Sequence, residues 1–242
     1  MNIILLGYGR MGKAIERLAY ERGHCIVDRY DEENRNLFFN TKDFQKVDVC
    51  IEFSVPEAAQ TNCSYCLDHN LPVVSGTTGW LEGVKALQLR AERENKSFFY
   101  ASNFSLGVNI LFEMNRRLAA IMGPQSEYEP SIREIHHIHK LDAPSGTALS
   151  LAEGIIETSH RFGDKPLSPS EYGEKIPIDS LREGEVPGIH EVTWHSSVDK
   201  ISLYHEAFGR QGFALGALLA AEFAVTHRGA LSMEQMLGFD EK

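Results

Sequence analysis

Residues Glu134 to Leu149 read E-I-H-H-I-H-K-L-D-A-P-S-G-T-A-L, which places His136, His137, His139 and Lys140 within five positions. Imidazoles give or take a proton near neutral pH, and a lysine ammonium adds a compact positive charge. A proline-set turn follows. Ser145-Gly146-Thr147 then opens a helix and presents backbone N–H groups at its positive end, where anions bind. These residue types in this order describe a site that protonates a small molecule while gripping its carboxylate.

If Ile132 to Lys140 is extended, Glu134, His136 and Lys140 share one face while His137 and His139 share the other. Such a segment does not aim three histidines at one ion, and the spacing is not that of a familiar zinc motif, so no metal is expected. His139 reads as a solvent-facing histidine. His136 with Lys140 reads as chemistry.

A second constellation lies at the start. Gly7-Tyr8-Gly9-Arg10-Met11-Gly12 is G-x-G-x-x-G, placed after a strand-like run and opening a helical one. Glycines there permit a tight turn and let backbone N–H groups approach a pyrophosphate at the helix start. A dinucleotide cofactor is therefore expected. The acidic partner for its ribose should stand about 20 residues on, at the end of the second strand. Asp31 fits best, with Asp28 and Glu32 as alternatives. Arg29 and Arg35 are candidates for a 2′-phosphate, so NADH and NADPH both stay open. Gly76-Thr77-Thr78-Gly79 and Ala101-Ser102-Asn103-Phe104-Ser105 stand where strands should stop, and ligands of open parallel sheets lie at those ends. Their small polar groups suit a nicotinamide ribose and carboxamide, although such residues also serve as turns and caps.

The elements that must hold these groups follow from periodicity. Apolar runs at Asn2–Leu6, His24–Tyr30, Val47–Ser54, Leu71–Ser75 and Ser97–Ala101 predict strands. Between them, helical spacing appears from Met11 to Ala19, from Pro56 toward His69 and over Leu81–Glu94. That alternation predicts a doubly wound parallel sheet of Rossmann type. After Asn103 the pattern changes: Val108–Ala120 helical, Ile132–His139 extended, Thr147–Ser159 helical. Phe162–Pro187, rich in Gly, Pro, Ser and charge, reads as one long loop. His190–Ser196 and Lys200–Ala207 form a hairpin around Val198-Asp199, and Phe213–His227 a last helix. The first hundred residues are therefore expected to be α/β and the middle of the chain α+β.

The whole chain bounds these readings. Its 242 residues suit one large domain or two modest ones. A net charge of −10 argues against nucleic acid, whose phosphates require a basic surface. No apolar run approaches the roughly 20 residues of a membrane span; Phe213–Val225 is short and contains Glu222. Met1 leads directly into a strand-like run without the features of a signal peptide, so a cytoplasmic location is expected. Cys63 and Cys66 form a C-x-x-C with no second pair, which reads as buried helix residues.

Taken together, G-Y-G-R-M-G, E-F-S-V-P from Glu52, G-T-T-G, A-S-N-F-S-L-G-V, E-I-H-H-I-H-K-L-D-A-P-S-G-T-A, R-E-G-E-V-P-G-I-H-E-V and R-Q-G-F-A-L-G-A resemble the 4-hydroxy-tetrahydrodipicolinate (dihydrodipicolinate) reductase family over nearly the full length. The H-H-x-H-K-x-D-A-P-S-G-T-A string is the most specific of these. Glu52 stands where that family usually has Asp, and Ser102 where Ala or Pro is usual. The resemblance implies an NAD(P)H-dependent reductase of the diaminopimelate–lysine pathway acting on a small dicarboxylate. It implies His136 as proton donor or acceptor and Lys140 as a second donor that meets the substrate. His137, Gly146 and Thr147 would hold the carboxylates. It further implies two domains, 1–105 completed by 211–242 for the dinucleotide and 106–210 for substrate and tetramerisation, and a homotetramer built through the central sheets; hinges near Asn103–Gly107 and Arg210 would allow closure over both ligands. Two other readings compete: a related oxidoreductase acting on a sugar or amino acid, and a non-catalytic nucleotide sensor. Neither has a use for the histidine-lysine string beside an anion turn.

Overall fold

The computed structural model describes residues 1–41, 44–162 and 175–239. The chain forms two compact units, Met1–Leu106 with Arg210–Lys242 and Gly107–Gly209.

In the first unit, β1 (Asn2–Leu6), β2 (Cys25–Tyr30), β3 (Val49–Glu52), β4 (Val73–Ser75), β5 (Ser97–Tyr100) and β10 (Gly229–Leu231) make one sheet in the order β10-β5-β4-β3-β1-β2. Every neighbouring pair is parallel. A parallel sheet is covered on both faces, so its strands read as near-continuous apolar runs, as N-I-I-L-L does. Ile3 and Leu5 pack into the core shared with Ile15 and Ala19 of α1 (Arg10–Glu21) and the small residues of α7 (Gln211–Thr226). Ile4 and Leu6 turn to the opposite core, against Phe38 of α2 (Arg35–Asn40), α3 (Pro56–Asp68) and α4 (Leu81–Glu94). Pro56 occupies the first turn of α3, where its missing N–H costs no helical bond. In α7 the backbone comes so close to its neighbour that a Cβ on Gly216 would lie 1.7 Å from the Phe104 carbonyl oxygen.

In the second unit, β6 (Glu129–His136), β7 (Ile178–Arg182), β8 (Gly188–His195) and β9 (Lys200–Ala207) form a mixed sheet in the order β7-β6-β8-β9. Pair β6–β7 is parallel; β6–β8 and β8–β9 are antiparallel. Ile132, Val192 and Trp194 are buried with Leu111 and Ala119 of α5 (Leu106–Met122) and with Leu151, Ala152 and Ile155 of α6 (Gly146–Ser159). The side chain of Asn115 donates to the Leu151 carbonyl at 2.9 Å and joins the two helices.

Three expectations change. The strand through the histidines stops at His136 instead of running to His139 or Lys140. Beyond it the Glu183 N–H donates to the His136 carbonyl at 2.8 Å and the Ile138 N–H to Gly184 at 3.1 Å, and the Lys140 N–H closes a turn on His137 at 3.1 Å. Glu134 and His136 therefore share a strand face, while Lys140 is placed by a turn. Secondly, the expected long loop Phe162–Pro187 contains β7, whose I-D-S-L-R lacks a clean apolar alternation because it borrows its order from pairing with β6. Residues 163–174 of that stretch lie outside the described residues. Finally, the chain beyond the last long helix adds β10 to the parallel sheet and forms a short helix, α8 (Met233–Met236), closed by a Ser232–Gln235 capping box. Among the described residues, no helix is long and apolar enough to cross a membrane.

Candidate active site

The glycine turn leaves β1 where the sheet order reverses between β1 and β3, the position at which open α/β sheets bind ligands. Each glycine has its own reason. Gly7 has φ +95°, and a Cβ there would meet the Phe53 carbonyl oxygen at 2.1 Å. A Cβ on Gly12 would meet the Gly7 carbonyl at 2.4 Å, which locks the helix start onto the turn. Gly9 has open space where its Cβ would stand. That bare backbone at the positive end of α1 fits a pyrophosphate.

Beside the turn lies a cleft of about 470 Å³ lined by Gly7, Gly9, Asp31, Arg35, Ser54 and Asn62, among others. Asp31 accepts the Glu33 N–H at 3.0 Å, and Asn34 holds the Asp31 N–H at 2.7 Å, so the carboxylate is anchored at the end of β2. Arg29, one candidate for a 2′-phosphate, is turned away: it is bound by Glu16 and donates to the Tyr20 hydroxyl at 2.8 Å. Tyr8 also gives its hydroxyl to Glu16. Arg35 is the arginine that reaches the cleft with Asp31.

Of the other residues expected around a cofactor, Arg10, Thr78 and Ser102 are exposed. Met11 is half-buried against the core, and Ala101 and Phe104 are buried, Phe104 against Phe53 and Phe99. The Asn103 side chain accepts the Ser105 N–H at 2.9 Å. Gly76 is required by contact, since a Cβ there would fall 2.2 Å from the Phe53 ring. The Thr77 hydroxyl is committed to Glu52 at 3.1 Å. Sequence reasoning gave Glu52 no role, yet it is fully buried and also accepts the Ser54 N–H at 3.0 Å and the Ser75 hydroxyl at 2.7 Å, tying the ends of β3 and β4 together. Cys63 and Cys66 are free and buried on α3, with burial pushing both thiols up, so this C-x-x-C is inert packing.

The second unit builds its site from sheet register. Glu134 on β6 stands opposite His190 on β8, and His136 stands beside Arg182 on β7. Because successive side chains alternate, Glu134 and His136 point the same way. Glu134 Oε2 lies 3.3 Å from His136 Nδ1 and 3.8 Å from His190 Nε2. Glu134 Oε1 accepts the Ser145 N–H at 3.0 Å and lies 3.4 Å from the Arg182 guanidinium. Burial alone would raise the Glu134 carboxyl; the His136 ring and the Ser145 donors outweigh it and hold the group well below the usual carboxylate range. His190 is instead pushed down to about 4, by burial first and by neighbouring His136 second, and is neutral. Together Glu134, His136 and His190 offer ligand atoms within 4.8 Å of one another. The Arg182 guanidinium lies 3.4 Å from the same carboxylate.

Ser145 caps α6, its hydroxyl accepting the Ala148 N–H at 3.2 Å, and Gly146 and Thr147 follow in the first turn. Gly146 is exposed, and nothing lies within 4 Å of where its Cβ would stand. Lys140 pairs with Asp142 at 2.9 Å, and that ammonium lowers the Asp142 carboxyl. Arg182 donates to the Lys140 carbonyl at 3.2 Å and to the Asp142 carbonyl, fastening this turn to the sheet. His137 is half-buried beside His139, whose ring meets Glu185 at 2.9 Å on the surface. Arg182, His190 and Gly188 were missed from sequence. Only the H in G-I-H-E-V gave a signal, and its partner in register was not legible.

Residues 1–104 match the family model described as dihydrodipicolinate reductase, N-terminus, and residues 107–237 the one described as dihydrodipicolinate reductase, C-terminus. The 4-hydroxy-tetrahydrodipicolinate reductase of Christiangramia forsetii is 48% identical over 237 residues, covering 98% of each chain. That of Akkermansia muciniphila is 34% identical, covering 100% of this chain and 99% of the relative. Among solved structures, a dipicolinate-bound dihydrodipicolinate reductase from Paenisporosarcina sp. TG-14 superposes with a TM-score of 0.79 at 21% identity, over 97% of this chain and 98% of that one. An amine dehydrogenase from Mycobacterium smegmatis shares the fold more distantly, with a TM-score of 0.59 at 10% identity, over 96% and 94% of the two chains.

Proposed function

The chain belongs to the dihydrodipicolinate reductase family, and on that premise we infer that it reduces 4-hydroxy-tetrahydrodipicolinate with NAD(P)H to (S)-2,3,4,5-tetrahydrodipicolinate, a step of lysine biosynthesis through diaminopimelate. The observation that carries the residue roles is the shared carboxylate of Glu134, which contacts both His136 and the N–H of the anion turn.

NAD(P)H, when bound, supplies the hydride that the ring takes at C4 after loss of water. Gly7, Gly9 and Gly12 present the backbone of the glycine turn to its pyrophosphate, with Tyr8, Arg10 and Met11 between them. Asp31 takes the ribose hydroxyls, and Arg35 offers a partner for a 2′-phosphate. Gly76, Thr77, Thr78, Ala101, Ser102, Asn103 and Phe104 line the strand ends where the nicotinamide half rests. The remaining work belongs to the second unit. Gly146 and Thr147 at the positive end of α6, with His137 and Lys140, hold the substrate carboxylates; two anionic groups on a small ring call for this density of donors. His136 gives the proton that balances the hydride, and Lys140 stands as a second donor. The open, exposed β9, with Ile201 and Tyr204 on its surface, supports assembly into a homotetramer through the sheets. A cytoplasmic location agrees with the absence, among the described residues, of a membrane-length apolar helix.

The direct test follows the loss of the reduced-nicotinamide absorbance of NADH and of NADPH with freshly generated substrate. Oxidation dependent on that substrate is expected with at least one cofactor. No oxidation of either would overturn the assignment.

A further inference from the structure

We propose that Glu134 is the positioning residue for His136: its carboxylate holds the imidazole by Nδ1, leaves Nε2 as the nitrogen that exchanges the proton, and through the Ser145 N–H keeps the anion turn in register with it. This rests on His136 as the proton donor. Three observations carry it. First, His136 Nδ1 and Glu134 Oε2 lie 3.3 Å apart, and neither has a conventional hydrogen-bond partner among the described residues. Contacts of this kind tighten once substrate is bound. Second, the other carboxylate oxygen is already committed, accepting the Ser145 N–H at 3.0 Å with Arg182 at 3.4 Å, so the group cannot swing away from the ring. Third, the far side of the ring is kept clear by Gly188, where any Cβ would come 3.1 Å from His136 Nε2. The ring thus meets the carboxylate at one nitrogen and a residue without a side chain at the other, as in other acid–base sites whose carboxylate fixes a histidine tautomer.

The remaining charged or titratable neighbours do not compete for this role. Arg182 at the end of β7 repels the imidazolium and sits on Glu134. His190 on β8 is neutral and meets the His136 ring edge-on at 5.0 Å between centroids. Lys140 and Asp142 in the following turn are paired with each other. During turnover the N–H bond at Nε2 breaks as the C–H bond at the ring forms. The imidazole is left neutral with its proton on Nδ1 facing Glu134.

The test uses the full-length protein and a readout that needs no turnover. Long-range ¹H–¹⁵N correlation spectra of the wild type at pH above the imidazole titration should show His136 with its proton on Nδ1. Glu134→Gln should shift that tautomer balance. It should lower kcat roughly 10²-fold, leave the KM for the nicotinamide cofactor within about twofold, and move the alkaline limb of the kcat/KM profile to lower pH. Glu134→Asp, which keeps the charge, should return the limb toward its wild-type position. A wild-type ring protonated at Nε2 would overturn the proposal whether or not the glutamine variant folds. So would a folded Glu134→Gln variant with an unmoved limb. If His136→Gln proves fully active while the Nδ1 tautomer is found, the proton-donor role fails and the positioning by Glu134 stands.

Discussion

Glu134 accepts the backbone N–H of Ser145 across 11 residues of sequence, at 3.0 Å, so the strand bearing His136 and the start of α6, proposed to hold a carboxylate, are fixed to one buried group. An acid and an anion pocket that share a tether keep their spacing when the surrounding turn moves. Preorganisation of this kind matters to rate, because misplacement of about 1 Å costs roughly 10²-fold.

Replacing His136 by Gln removes the proposed proton donor and leaves a side chain of similar reach. Turnover should fall by roughly 10²- to 10³-fold, the usual contribution of a positioned acid or base. The affinity for NAD(P)H, measured by fluorescence titration, should not change. Full activity in the variant would take His136 out of the mechanism.

Gly188→Ala pushes a methyl to 3.1 Å from His136 Nε2. The ring must yield by a few tenths of an ångström and an alanine is strained at this glycine's φ of +159°, so kcat should drop roughly tenfold and the melting temperature should fall as well. A steady-state assay paired with a melting curve separates the two effects. An unaltered kcat would mean that this nitrogen does not face the reaction.

Cofactor choice should respond to two residues in the first unit. Asp31→Ala is expected to raise the KM for NADH by about 10-fold or more, since a charged hydrogen bond is worth roughly 1.5–3 kcal/mol. Arg35→Ala should act on NADPH instead. Arg29→Ala should change neither selectively, because Glu16 and Tyr20 already occupy its guanidinium. Equal effects of all three on both cofactors would contradict the cleft geometry.

Pyridine-2,6-dicarboxylate, a flat analogue of the ring, should inhibit competitively against the substrate. Lys140→Met should weaken that inhibition about 10- to 100-fold by removing one charged contact to a carboxylate. Isothermal titration of both proteins supplies the comparison. Equal affinity would place the dicarboxylate away from Lys140.

Acid should destabilise the protein through His190. Buried, it titrates near 4 in the folded chain, against an ordinary value of 6.5. Between those values the unfolded chain takes up a proton that the native state refuses, so stability falls as pH drops from 6.5 toward 4, by up to roughly 3 kcal/mol. Glu134, held below its ordinary range, adds to the loss once pH falls beneath about 4.5. Melting temperatures from pH 7 to pH 4.5 should therefore decline less steeply for His190→Asn than for the wild type. Parallel declines would show that His190 does not report its burial.

The parallel sheet was readable because Asn2–Leu6 and its fellow strands are apolar on both faces and the glycines follow β1 directly; local pattern and global fold agree there. The long loop expected over Phe162–Pro187 hid β7, whose few residues are ordered by Ile132–His136 beside them and not by their own pattern. Likewise the histidine strand ends sooner than its pattern predicts, since the Glu183 N–H donates to the His136 carbonyl and the Gly184 carbonyl accepts the Ile138 N–H, both far away in sequence. By itself the chain determined which residue types stand where chemistry is proposed: the glycines of the turn, His136 with Lys140, and the Ser145 helix start. Only the tertiary structure decided their partners. Glu134 meets His190, and His136 meets Arg182 and Gly188, through a register between strands, and a slip of one residue would turn every one of those side chains to the other face.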